Sequence, residues 1–162
     1  MAEKPRAYHA GYTISGVPAE TVFVALLDVK SFPEWALGLD SVTTKDPKGH
    51  ETSEVKPGTM LEFRLRAAGF THTIASQIQS VEPPHLLKWR YLQGATGTGA
   101  WYVEQPTPTT VRLTLSTDYD VKPAWLNTLA HRPFFRNITR DLLKRSIRRF
   151  EKKLRQKPKA NS

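Results

Sequence analysis

The stretch PFFRNITRDLLKRSIRRFEKKLRQ, residues 133–156, decides the fold. Phe134 and Phe135, Ile138, Leu142 and Leu143, Ile147, Phe150 and Leu154 recur at spacings of three and four, which puts them on one face of a helix. Pro133 suits the first turn, because its missing N–H has no intrahelical partner there. At 1.5 Å rise per residue such a helix would be roughly 35 Å long. Its opposite face is almost wholly Arg and Lys. A helix with one long dry stripe needs an apolar surface to lie on, and the preceding residues supply one.

From residue 59 to residue 121 the hydrophobic period is two rather than three and four. Leu61, Phe63, Leu65 and Ala67 alternate with Glu62, Arg64 and Arg66. Phe70, His72, Ile74, Ser76 and Ile78 share the next face. Leu87, Trp89 and Tyr91 oppose Lys88 and Arg90, and Trp101 and Val103 oppose Tyr102 and Glu104. Val111, Leu113, Leu115, Thr117, Tyr119 and Val121 complete the series. Turn residues separate the runs at 68–69, 82–84, 94–99 and 106–108. Short connections make antiparallel hairpins, and one-sided alternation makes a sheet with one wet face.

Upstream, residues 8–14 alternate as a strand. Pro18 opens a short helix over 19–28. SFPEW at 31–35 reads as a second short helix, with Ser31 as N-cap and Glu34 at the capping-box spacing. Residues 42–45 fit a strand, and 46–58, rich in Pro, Gly and charge, fit a long loop or weak hairpin. A helical turn is expected at 124–131. The fold class is therefore α+β: a curved antiparallel sheet of about six or seven strands wrapped around the long C-terminal helix, with two short helices after the first strand. One domain over 1–157 and a disordered tail over 158–162 account for the chain. A sheet curling round a single helix leaves space, so an internal pocket is expected between them.

Composition narrows the function classes. The chain has 162 residues, 39% hydrophobic, with four Trp, five Tyr and seven Phe, enough for one sizeable core. It has no Cys, which excludes disulfides, thiolate metal sites and Cys nucleophiles. Residues 1–6 lack the apolar segment of a secretory signal. The longest stretch without Asp, Glu, Lys or Arg, 67–81, carries His72, Ser76, Gln77 and Gln79 and is too short and polar to span a bilayer. A soluble cytoplasmic location is the expectation.

The order of elements and several short motifs carry a resemblance. They are VPAETVF at 17–23, LDVKSFPEW at 27–35, Gly58, VEPP at 81–84 followed by LKWR at 87–90, GAWYVE at 99–104, and Arg149-Phe150. Together the chain resembles, over about residues 8–156, the superfamily of START domains, polyketide cyclases and pollen-allergen-like proteins (SRPBCC), with its helix-grip fold. These motifs are structural rather than catalytic. The resemblance implies a hydrophobic-ligand habit without fixing a reaction, since the superfamily includes lipid carriers, aromatase/cyclases, hormone receptors and proteins that act on ribosomes.

The inward strand faces gather Tyr8, Tyr12, Phe63, His72, Ser76, Trp89, Tyr91, Trp101, Thr117 and Tyr119, and the helix stripe adds Phe135 and Leu142. These would line a largely aromatic pocket for a flat or elongated amphipathic molecule; the alternative is an ordinary core with Tyr hydroxyls at its rim. His72 is the weak catalytic candidate, as a general acid/base in a cyclase- or dehydratase-type reaction, against a hydrogen-bonded structural role. Ser76, four residues on, lies about 13 Å from it along the strand, too far for a Ser–His pair. His50, Glu51 and Glu54 lack ligand spacing, so no metal and no cofactor are expected. GATGTG at 94–99 has neither a following helix nor a P-loop Lys and reads as a flexible hairpin at the pocket mouth.

Charge is concentrated. Residues 132–159 hold twelve Lys/Arg and two acids, a net +10, and the rest of the chain totals −1. Arg136, Arg140, Lys144, Arg148 and Lys152 fall at spacings of four. This face is either solvated or offers weak contact to an anionic surface, phosphate-rich lipid or RNA. It has no interleaved aromatics for base stacking, so no obligate nucleic-acid partner is expected. Three readings follow: a non-catalytic binder or carrier of a hydrophobic or lipid-like molecule, a cyclase/dehydratase-type enzyme, and a protein that docks through its basic helix.

Overall fold

A computed structural model describes residues 6–67, 69–121 and 133–156. The chain runs as β1 (Arg6–Ser15), α1 (Ala19–Leu27), a 3-10 helix (Val29–Glu34), β2 (Leu39–Lys45), β3 (Met60–Ala67), β4 (Phe70–Glu82), β5 (Leu86–Gln93), β6 (Ala95–Thr107), β7 (Thr110–Val121) and α2 (Pro133–Arg155). All seven strands form one antiparallel sheet in the order β1-β7-β6-β5-β4-β3-β2. β2 to β7 are a meander of hairpins, and β1 adds beside β7. β1 and β2 are thus opposite edges, and α1 with the 3-10 helix carries the chain from one edge to the other. The sheet curls into a half-barrel, helped by register shifts at Leu39/Ser41, Ala75/Ser76, Ile78/Ser80 and Glu104/Thr107, where an extra residue bends the strand. The last shift also accommodates Pro106, which has no N–H to give to a ladder. This is the helix-grip arrangement expected from the sequence.

The period-two pattern is obeyed where the sheet is covered: Val103 is fully buried while its neighbour Tyr102 is 42% exposed. The core joins Ile14, Val103, Val111 and Leu113 of the sheet to Val22, Phe23 and Leu26 of α1 and to Ile147 and Phe150 of α2. Burial of each large apolar side chain contributes about 1.5–3 kcal/mol. The α2 grip is specific. The Phe150 ring packs on Trp35 at 4.7 Å, and the Ser146 hydroxyl accepts from the Leu37 backbone N–H at 2.8 Å while donating to the Leu142 carbonyl at 2.7 Å.

Three local expectations are corrected. The second short helix is a 3-10 helix beginning at Val29, and Ser31 lies inside it. The Ser31 hydroxyl donates to the Asp28 carbonyl instead of accepting a helix N–H, so no capping box forms. GATGTG is not a loop: only Gly94 turns, and residues 95–99 are β6, paired along β7 from Ala95↔Val121 to Gly99↔Thr117. Glycine and threonine there conceal a strand because its neighbours, not its own side chains, fill the space. The 46–58 segment keeps a single bridge, Lys45↔Glu51. The Asp46 carboxylate closes its turn by accepting from the Lys48 and His50 backbone N–H groups. These bonds, His50's foremost, hold its pKa below the usual carboxylate range. The helical turn expected at 124–131 and the tail at 158–162 lie outside the described residues.

Candidate functional site

Two adjoining chambers lie inside the curl. The larger, about 420 Å³, is bounded by the sheet, the segment from Trp35 to Leu39, and Thr139, Leu142, Leu143 and Ser146 of α2. The smaller, about 170 Å³, is lined by Val29, Ser76, Ile78, Leu87 and Trp89 among others. Phe32, Phe63, Leu65, Ile74, Tyr91 and Trp101 wall both, so the chambers are continuous in their lining. The larger chamber alone falls within the size range of small-molecule sites, roughly 300–1,000 Å³.

Each wall has a simple origin. Leu61, Phe63 and Leu65 of β3, Ile74, Ser76 and Ile78 of β4, and Trp89 and Tyr91 of β5 are the inward members of alternating strands. The cross-strand registers Phe63↔Ile74 and Ser76↔Tyr91 set them side by side. Trp89 sits over its cross-strand partner Gly99, whose missing side chain leaves room for the indole.

Of the residues expected in the pocket, Phe63, Tyr91 and Trp101 line both chambers, Ser76 and Trp89 the smaller, and Leu142 and Thr117 the larger. Tyr12 packs against the core and lines neither. His72 also lines neither: its ring is half-buried, and Nε2–H donates to the Gly94 carbonyl at 2.9 Å. The acid/base candidate is therefore engaged with a backbone carbonyl near the start of β4, beside its cross-strand partner Leu65, which does line the chambers. The side chains of Tyr8, Tyr119 and Phe135 lie outside the described set. Sequence reasoning missed Phe32, Trp35 and the 36–39 segment, which form one rim of the larger chamber. The available signal was the aromatic pair in SFPEW, which has no strand or long-helix period to give it an inward face.

The lining is electrically plain. Among its described residues the only charged side chain is Arg66, two-thirds exposed and 3.7 Å from Asp40. The Tyr91 hydroxyl meets Thr117 Oγ1 at 3.0 Å, and Thr117 Oγ1 donates to the Thr98 carbonyl at 3.3 Å. The Ser76 hydroxyl and the Trp35 indole N–H are buried with no hydrogen-bond partner. Among the described residues no three His, Asp or Glu side chains are grouped to hold a metal. No helix among them is long and apolar enough to cross a membrane.

Residues 11–157 match the family model described as "Polyketide cyclase / dehydrase and lipid transport". The chain belongs to that family. Among curated proteins nothing matches. Among solved structures, a START superfamily protein from Mycobacterium smegmatis is similar at 13% identity and a TM-score of 0.67, covering 93% of this chain and 97% of that one. The Zhui aromatase/cyclase from Streptomyces sp. R1128 is similar at 17% identity and a TM-score of 0.61, with 92% of each chain covered. A point mutant of norcoclaurine synthase from Thalictrum flavum, in complex with a transition-state analogue, is similar at 16% identity and a TM-score of 0.61, covering 91% of this chain and 96% of that one. At these identities the likeness shows the fold alone: the SRPBCC helix-grip. Family and fold together suggest a domain that binds hydrophobic ligands, in a family that includes cyclases.

Proposed function

We propose that this member of the polyketide cyclase/dehydrase and lipid-transport family takes a hydrophobic small molecule into the paired chambers between sheet and α2, and acts as its binder or carrier rather than as a catalyst. The observation that carries the reading is the lining. Two continuous chambers are walled by aromatic and aliphatic side chains, with a single charge, Arg66, among the described wall residues. An interior left open in this way forfeits packing contacts, and an apolar ligand restores them. The walls also include no described His, Asp, Glu or Lys, which leaves Tyr91 as the one described proton-transfer group there and disfavours acid–base chemistry.

Native mass spectrometry of the protein as purified should reveal a co-purified hydrophobic molecule. A hydrophobic fluorophore should titrate to saturation with a change in Trp emission. Trp89→Ala should weaken that binding about tenfold, the equivalent of about 1.4 kcal/mol. Saturable binding that is indifferent to this substitution would put the site elsewhere.

A further inference from the structure

The hydrogen-bond polarity inside the chamber says more than its apolarity. The Thr98 carbonyl can only accept, so the Thr117 hydroxyl, 3.3 Å away, commits its one proton to it. Thr117 Oγ1 then has only lone pairs left for Tyr91, at 3.0 Å, and the Tyr91 hydroxyl must be the donor of that pair. A directional relay thus runs from β5 through β7 to β6, and it spends the only proton Tyr91 has. Thr117 is 7% exposed and Tyr91 lines both chambers, so the relay is fixed in the wall and not out in solvent. What Tyr91 offers a ligand is an oxygen that accepts. One strand over, in register with Tyr91, Ser76 lines the smaller chamber. It is 1% exposed and its hydroxyl is without a partner, so it can meet a second ligand oxygen.

Resting on the hydrophobic-binding reading above, we infer that the chambers select a neutral hydrophobe bearing a hydroxyl group, an alcohol or a phenol, whose O–H donates to the Tyr91 oxygen. A carboxylate placed there would set its negative oxygens against a lone pair. Among the described walls it would find no cation except the rim Arg66, already beside Asp40, and burying an unpaired charge is costly. A ketone can accept from Ser76 but has no proton to give, and would leave the Tyr91 oxygen unmatched. A hydroxyl completes the relay.

The test is a matched naphthalene series, read by calorimetry with the full chain: naphthol, methylnaphthalene, naphthoate and a naphthyl methyl ketone. The wild type should bind naphthol about tenfold more tightly than the other three, the worth of one buried hydrogen bond. Tyr91→Phe should erase that preference while leaving methylnaphthalene within about twofold. Thr117→Val removes the acceptor that holds the Tyr91 proton, so Tyr91 becomes free to donate as well as to accept, and the ketone should gain until naphthol no longer exceeds it. A role confined to wall structure would lower all four affinities together and would not raise the ketone selectively. If methylnaphthalene binds but naphthol is no better, or naphthoate is tightest, the inference is overturned while the hydrophobic-binding function stands. If none of the four binds, both fall. Should Tyr91→Phe fail to fold, Thr117→Val decides by itself: a selective gain by the ketone supports the relay, and an unchanged naphthol preference over the ketone overturns it.

Discussion

Gly99 shows how much of the site depends on an atom that is missing. A Cβ built there would lie 2.5 Å from two carbons of the Trp89 indole and 2.6 Å from its nitrogen, well inside van der Waals contact. The ring therefore lies against bare backbone across the β5–β6 pair, and this seats it in the chamber wall. Glycine inside a strand ordinarily weakens it, and close approach of a neighbour is a standing reason for tolerating it. Gly99→Ala should drive the indole off its seat, at a cost of about 1–3 kcal/mol, the usual range for overpacking. Urea denaturation should give a lower midpoint, and Trp emission should shift in the folded state. A wild-type midpoint with unchanged emission would contradict this placement. Gly94 is stricter still: its φ is +80°, and a Cβ would clash with the Thr73 carbonyl oxygen. Sequence reading could not separate these two glycines. It put both in one flexible hairpin, with Gly99 also opening the GAWYVE motif, because a glycine carries no periodicity. The only clue to Gly99 was a tryptophan on the preceding strand that needed somewhere to lie.

At the scale of elements, α2 is held by polar as well as apolar contacts. Ser146 is 4% exposed and bridges two elements: it accepts from the Leu37 N–H before β2 and donates to the Leu142 carbonyl within its own helix. Ser146→Ala keeps the helix propensity but strands the Leu37 N–H. The expected loss is about 1–3 kcal/mol, the cost of an unsatisfied buried donor, measured as a lower urea midpoint with unchanged slope. A substitution effect within a few tenths of a kcal/mol would mean that water takes over the Leu37 N–H, and the bridge would not be what docks α2. The helix itself was legible. Its apolar residues at three- and four-residue spacings gave 133–156, against the observed Pro133–Arg155. The strands were legible for the same kind of reason, a period sustained long enough to identify one face. The 3-10 helix was not. With Pro33 inside it and six residues in all, it is too short to show a period, and Ser31 has two backbone partners to choose between. The chamber followed the same division. Its walls on β3, β4 and β5 came from alternation, whereas the rim from Trp35 to Leu39 is irregular and becomes visible only in three dimensions.

For the molecule as a whole, the charge asymmetry resolves into two kinds of cation on α2. Some of its cations hold the helix to the rest of the fold or to itself. Arg149 donates to the Glu34 carbonyl, Lys153 pairs with the Glu34 carboxylate, Arg155 bonds Glu151 and the Ser15 carbonyl, and Arg145 lies 3.7 Å from Asp141. Arg140, Lys144, Arg148 and Lys152, at spacings of four, are exposed and pair with no acid among the described residues. Like charges so arranged disfavour a helix by about 0.2–0.5 kcal/mol per pair. Burial of Ile147 and Phe150 on the other side outweighs that, at about 1.5–3 kcal/mol for each large side chain. The fold can therefore carry this stripe with no partner at all, and its presence alone does not require one. Neutralising it in Arg148→Gln/Lys152→Gln should leave the urea midpoint unchanged or slightly raised, since the removed charges repel each other. We propose that the stripe adheres only weakly to anionic surfaces. Co-sedimentation with phosphatidylserine vesicles should appear at low ionic strength and largely vanish near 0.15 M salt, where the screening length is about 8 Å. It should also fall in the doubly neutralised variant. Association that survives unchanged in high salt would mean that something other than these cations meets the vesicle. Association absent at low salt would make the stripe a purely solvated face, with its charge serving solubility.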